Sequence, residues 1–268
     1  MNVYNDIWHS VISECSAENK RKLGIINKNM ANIVSSYFRK EYIKLDSDFN
    51  QVFNQRIEAL GFDPIIFNNN LKKTNSMICG SYPLSCVLFE DYRYSDINIY
   101  TRNIGNNNQT SEIDDQNDLD KYIKCNQNII DYYEDETLNY FRYMSGVKKA
   151  YIYDMNSVRI RVIYIDPEFS IVDFIDKNYD LSITKTFFDG DNMYINGQDT
   201  ISKIAYISNS KINKDDYSKE EVKLLLERVA KYLDRGFAIN NLEYFISKHQ
   251  DQEAFIELLN IYGNFKMS

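Results

Sequence analysis

A short apolar run, Ser76-Met77-Ile78-Cys79, ends in the pair Gly80-Ser81. An apolar stretch of helical character follows, and then Ser95-Asp96-Ile97-Asn98-Ile99-Tyr100 places a polar residue at every second position. Side chains alternate along a strand, so Asp96 and Asn98 share one face while Ile97 and Ile99 bury on the other. Strand, glycine turn, helix and half-polar strand in immediate succession require a sheet with helices packed on it. A Gly-Ser turn can hold a phosphate through backbone N–H groups and a hydroxyl. An acidic strand beside it can hold a divalent metal. The second polar position of the strand carries an amide, Asn98, instead of an acid.

The chain has 268 residues, 44% of them hydrophobic, so a substantial core can form. Its formal net charge of −8 excludes broad, nonspecific coating of nucleic acid, although a local basic groove remains open. The four cysteines, Cys15, Cys79, Cys86 and Cys125, form no CxxC pair, and His9 and His249 supply no zinc spacing. Cys15, Cys79 and Cys86 lie among apolar residues, which reads as buried free thiols in a reducing compartment. No window approaches the ~20 apolar residues of a membrane span and the N-terminus has no apolar leader. The expected protein is soluble, intracellular and cytoplasmic, with no membrane partner.

Four regions follow from the patterning. Residues 1–40 carry two amphipathic runs, Ile7, Trp8, Val11, Ile12 and Cys15, then Leu23, Ile26, Met30, Ile33 and Val34. Residues 41–75 read as connecting helices, the first with Phe49, Val52, Phe53, Ile57 and Leu60 and ended near Gly61, the second started by Asp63-Pro64, with Asn68-Asn69-Asn70 as loop. Residues 76–190 alternate strand and helix, with strands expected at 76–79, 95–101, 148–154, 158–165 and 179–188 and helices at 83–90 and 119–144. Residues 191–268 return to helix. Val222, Leu225, Leu226, Val229 and Leu233 define a strong amphipathic helix over 222–235 closed by Gly236, and a further helix covers 251–262. The acidic run with Glu112, Asp114, Asp115, Asp118 and Asp120 imitates a metal site but reads as solvated loop or helix N-terminus.

The order Gly80-Ser81, helix, Asp96-x-Asn98 strand, then a later strand with a further acid resembles the polymerase-beta-like nucleotidyltransferase superfamily. GSYPLSCVLFEDYRYSDINIY, RVIYID, FIDKNYDLSITKTFFDG and ERVAKYLDRGFAI together look like uncharacterised proteins of large DNA viruses of protists that carry such a domain. The resemblance implies an α+β fold: a small mixed or antiparallel sheet of nucleotidyltransferase type flanked by helices, with helical N-terminal and C-terminal regions. It implies magnesium as cofactor, held by three carboxylates, because two ions must be neutralised and fixed. Carried onto this chain, Gly80 and Ser81 fall on the phosphate-binding turn, Asp96 on the first carboxylate and Asn98 on the second. Asp180 is the choice for the third, with Asp173 its rival. Asn98 removes one negative charge from that set, which weakens two-metal catalysis. Lys231 and Arg235, on the polar face of the 222–235 helix, are candidates for a triphosphate or a nucleic acid, although Glu227 can pair with Lys231 at i, i+4. Arg159 and Arg161 share one face of their strand, either toward phosphate or toward solvent.

Residues 1–38 also resemble an F-box, through the Ile7/Trp8 and Val11/Ile12 pairs, the Arg21-Lys22-Leu23 turn and Ile26-Asn27-Lys28-x-Met30-x-x-Ile33-Val34; a helical cap is the alternative. Three functions compete. One is magnesium-dependent nucleotidyl transfer to a hydroxyl acceptor. A second is a non-catalytic adaptor that recruits a target to a ubiquitin ligase. The third is a protein that binds a nucleoside triphosphate without turnover.

Overall fold

The computed structural model describes residues 42–249 apart from 93–94, 103–117, 136–140, 142 and 156–157. The F-box reading of residues 1–38 and the helix expected at 251–262 lie outside the described residues, as do Asn156 and Ser157 between the strands expected at 148–154 and 158–165.

The fold is α+β. An eight-stranded sheet is built from β1 (Tyr42–Lys44), β2 (Met77–Cys79), β3 (Ile97–Arg102), β4 (Ile129–Glu134), β5 (Val147–Met155), β6 (Arg159–Ile165), β7 (Phe187–Phe188) and β8 (Met193–Asn196). Their order is β1-β8-β7-β2-β3-β6-β5-β4. Neighbours are antiparallel except β3 and β6, which run parallel. Two registers matter for the site: Cys79 of β2 lies opposite Asn98, and Asn98 lies opposite Arg161 of β6.

Alternation decides which side of the sheet each residue feeds. Ile97, Ile99, Ile160 and Val162 bury on one face with Phe53 and Ile57 of α1 (Ser47–Ala59), Phe67 and Leu71 of α2 (Pro64–Lys73), and Leu119 and Ile123 of α4 (Asp118–Lys124). Helix α3 (Ser81–Val87) follows the glycine turn. Tyr100, Ile163 and Ile165 bury on the other face with Ile171, Phe174 and Ile175 of α5 (Ile171–Asn178). Each such fully buried aliphatic side chain contributes about 1.5–3 kcal/mol. A third cluster joins α6 (Asn209–Ile212), α7 (Lys219–Asp234) and α8 (Leu242–His249) to the sheet layer through Leu84, Leu181, Ile183 and Ile207. There Val222, Leu225, Leu226 and Val229 form the buried stripe of α7, as their spacing predicts. A capping box of Ser218 and Glu221 starts α7. Arg235 caps its end, with Gly236 next at φ +79°. Two short parallel strands, β9 (Ile204–Ala205) and β10 (Ala238–Ile239), form a separate sheet.

Several expectations need correction. Among the described residues of the 119–144 segment, helix is confined to α4, and Ile129–Glu134 forms the edge strand β4. Asn68-Asn69-Asn70 lies within α2, because Phe67 and Leu71, four apart, bury together while Asp63 caps the helix by accepting from Ile65 and Ile66 N–H. Residues 179–188 are not one strand. Ser182–Lys185 is a 3-10 turn in which Thr184 and Thr186 hydroxyls donate back to the Leu181 and Ile183 carbonyls. The region after 190 contains strands as well as helices: β8 pairs with β7 and β1. In the acidic run, Asp118 pairs with Lys73, and buried Asp120 accepts from Tyr153 and Tyr164 hydroxyls. Cys79 and Cys86 are buried free thiols and Cys125 is exposed. Burial pushes the Cys86 thiol up to about 11. No helix among the described residues is long and apolar enough to cross a membrane.

Candidate functional site

The site lies at the end of the sheet where β2 finishes and β3 and β6 begin. Gly80 makes the turn from β2 into α3 at φ +101°, a conformation that side chains with a Cβ strain to adopt. Its surroundings are close: a Cβ there would stand 3.5 Å from the Tyr179 hydroxyl and 4.0 Å from the Asn98 amide nitrogen. The Gly80 N–H donates to the Thr186 carbonyl at 3.0 Å, so it is not available to a phosphate. What the turn offers a ligand is the half-buried Ser81, whose hydroxyl makes no hydrogen bond to a described residue.

Asp96 and Asn98 stand on the face read from the sequence. Between them comes a partner that the expected acid set does not contain. Arg161, buried at the centre of the sheet, donates from Nη1 to the Asp96 carboxylate, and the same atom lies 3.4 Å from Asn98 Oδ1. The parallel register makes this contact unavoidable, because Asn98 and Arg161 are cross-strand neighbours. Arg159 pairs instead with Asp154 at 2.5 Å. The signal for Arg161 is one arginine inside the apolar alternation Ile160-Arg161-Val162-Ile163: a cation in a central strand must find a buried acceptor.

Neither candidate for the third carboxylate joins this group. Asp180 lies before the 3-10 turn, not on a strand, and is buried. Its carboxylate takes Arg228 of α7 and, at 3.3 Å, Lys211 of α6. It lines a cavity with Tyr143, Asn178, Lys211, Tyr217 and Arg228. Desolvation, and then the nearby Lys214, lower the Lys211 ammonium below the ordinary lysine range. Asp173 is exposed in the first turn of α5 and accepts from the Ser170 hydroxyl, which itself caps that helix.

Of the two expected cations, Lys231 lies within electrostatic reach of Asp96, and Arg235 within reach of Lys231. Lys231 feels Asp96, Arg235 and Arg228 together. Desolvation, and then repulsion from Arg235, push its ammonium below the ordinary lysine value, while Asp96 pulls the other way. Among the described residues Lys231 has no ion pair. The expected Glu227–Lys231 pair is replaced by Lys223–Glu227 at 3.9 Å. The Arg235 guanidinium stacks 3.9 Å over the Tyr92 ring and 5.3 Å from Tyr232, and its Nη1 is buried with no hydrogen-bond partner. Arg228, Lys231 and Arg235 follow i, i+3, i+7 and so share one face. Only Arg228, sequence reasoning's omission here, is neutralised, by Asp180.

The magnesium implied by the resemblance does not fit these residues. Of three expected acids only Asp96 is present, and it is bonded to a guanidinium. Asp96 and Arg161 cancel, Asn98 is neutral, and Lys231 and Arg235 add positive charge, so a divalent cation would be repelled. No group of three His, Cys, Asp or Glu side chains among the described residues could hold a metal ion.

No protein-family model matches the chain, and no curated protein matches it. Among solved structures it is similar to "The structure of CCA-adding enzyme apo form II", with 10% identity over 83% of this chain and a TM-score of 0.37. The match covers 57% of that structure's length. A likeness this slight defines neither a fold family nor an activity.

Proposed function

We propose that this chain binds a nucleoside triphosphate on a nucleotidyltransferase-like scaffold and does not transfer the nucleotidyl group. What supports this is the charge of the site: Asp96 is already paired with Arg161, and Lys231 and Arg235, four positions apart on one face of α7, have no carboxylate partner among the described residues, with Lys231 within electrostatic reach of Asp96. A net-positive, partly desolvated site favours a polyanion. Ser81 adds a hydroxyl donor on the β2 side, and Tyr92 a ring already stacked on a guanidinium. Transfer chemistry by paired metals needs carboxylates to fix the ions. The single half-exposed Asp96 does not meet that need.

Titration of each nucleoside triphosphate by calorimetry tests this directly. Wild type is expected to bind one of them, with affinity that falls as salt rises. Lys231→Ala combined with Arg235→Ala is expected to weaken binding about a hundredfold, two contacts at roughly 1.4 kcal/mol each. Asp96→Asn, which keeps an oxygen on Arg161, is expected to preserve binding or tighten it. Absence of binding to every triphosphate, or turnover that Asp96→Asn abolishes, would sink the proposal.

A further inference from the structure

We infer that Arg161 is a built-in cation that takes the place of a divalent metal, so that this site binds its anion without one. The inference deepens the triphosphate reading by naming the ionic form that is recognised: the metal-free tetra-anion. Three observations carry it. Asn98 and Arg161 are direct cross-strand partners, so whatever occupies position 161 faces the Asp96-x-Asn98 pair. The Arg161 guanidinium reaches both, bonding Asp96 and lying 3.4 Å from Asn98 Oδ1. Arg161 is buried, so its guanidinium is paired with Asp96 and Asn98 inside the protein and not dispersed in solvent.

The electrostatic consequence is specific. In a carboxylate-lined site, phosphates can approach only when metal ions screen the acids. Here the guanidinium supplies that screening to Asp96, and Lys231 and Arg235 supply the attraction. Magnesium bound to a triphosphate removes two negative charges from the ligand and so weakens its pull on these cations. The expected order of affinity is therefore free triphosphate above its magnesium complex. Replacing Asn98 and Arg161 by aspartate changes the site's charge by three units and sets three carboxylates side by side across β3 and β6.

The test is manganese binding, followed by electron paramagnetic resonance on the protein alone, with a parallel titration of triphosphate in excess chelator and in saturating magnesium. Wild type is expected to leave manganese free. The Asn98→Asp/Arg161→Asp variant is expected to bind it more tightly by a factor on the order of a hundred. Should that variant fail to fold by circular dichroism, Asn98→Asp/Arg161→Gln serves in its place, with a smaller gain of the same sign. Asn98→Asp alone keeps the guanidinium and is expected to gain nothing. Manganese binding by wild type, or by Asn98→Asp as strongly as by the double variant, would overturn the role given to Arg161. So would a triphosphate that binds only with magnesium. If no triphosphate binds under either condition, the nucleotide reading fails, while the manganese arm still decides whether Arg161 replaces the metal.

Discussion

Asp180 and Asp96 each receive a long-range arginine, and the contrast between them separates a tie between layers from a pair at the sheet end. Asp180 is 6% exposed and receives Arg228 and Lys211, so its one charge faces two cations that α7 and α6 bring to it. Asp96 is 33% exposed and receives Arg161 from its own sheet. The first ties the helical layer to the strands. The second closes nothing: it lies at a sheet end, beside a glycine turn, with Lys231 close enough to feel its charge. Sequence position made Asp180 the choice for a metal-binding carboxylate and left Arg161 facing either phosphate or solvent. The structure buries both and gives each an ionic partner.

The comparison predicts its largest effect at the structural carboxylate. Asp180→Ala leaves Arg228 and Lys211 facing each other across a vacated acceptor. Removing one member of a buried ionic group costs about 3–5 kcal/mol. For a chain of this length that corresponds to a fall of roughly 10 °C in melting midpoint, measurable by calorimetry. Asp96→Asn is expected to lower it less, because the amide keeps an oxygen acceptor on the buried Arg161 guanidinium, whereas alanine at 180 leaves none for Arg228 and Lys211. Equal losses at the two positions would erase the distinction drawn here.

Gly80→Ala comes next. It introduces a Cβ at φ +101° beside Tyr179 and Asn98, at a cost of about 1–3 kcal/mol. Because the strain falls on the turn that carries Ser81, triphosphate affinity is expected to fall with stability. In Asp180→Ala, stability should fall while the Asp96 side keeps its ligand. A Gly80→Ala protein as stable as wild type would mean that the turn relaxes freely.

The elements that position the site were legible in the sequence, and the site's composition was not. Strands β2, β3 and β5 and helix α7 follow from local periodicity, because each has one dry face and one wet or mixed face, and β6, buried on both faces, follows from its nearly continuous apolar run. Asp96 and Asn98 could be put on a common face for the same reason. What failed were segments whose local pattern imitates another element. Ser182, Thr184 and Thr186 alternate like a strand, yet their hydroxyl and backbone bonding closes a 3-10 turn over buried Leu181 and Ile183. Ile129-Ile130-Asp131-Tyr132-Tyr133-Glu134 continues an apparently helical run, yet it pairs with β5 as an exposed edge strand. The Asp96–Arg161 bond was out of reach for a different reason. It depends on a parallel register between strands 65 positions apart in the chain, and no local window carries that information.

The smallest effect is the most discriminating, because it changes sign between two measurements on one residue. Burial and Arg235 hold the Lys231 ammonium below the ordinary lysine value. Between that lowered value and ~10.4, the unfolded chain binds more protons at this residue than the folded one. Its contribution to stability therefore rises with pH across that window. Binding a polyanion does the reverse: it favours the charged ammonium, so complex formation takes up a proton and affinity falls as pH rises through the same window. Wild type minus Lys231→Gln isolates the residue from the many tyrosines and lysines that titrate nearby. The expected difference is stability climbing and triphosphate affinity dropping over the alkaline range below ~10.4. If Lys231 were only a cation complementing the C-terminal end of α7, the affinity difference would stay flat with pH.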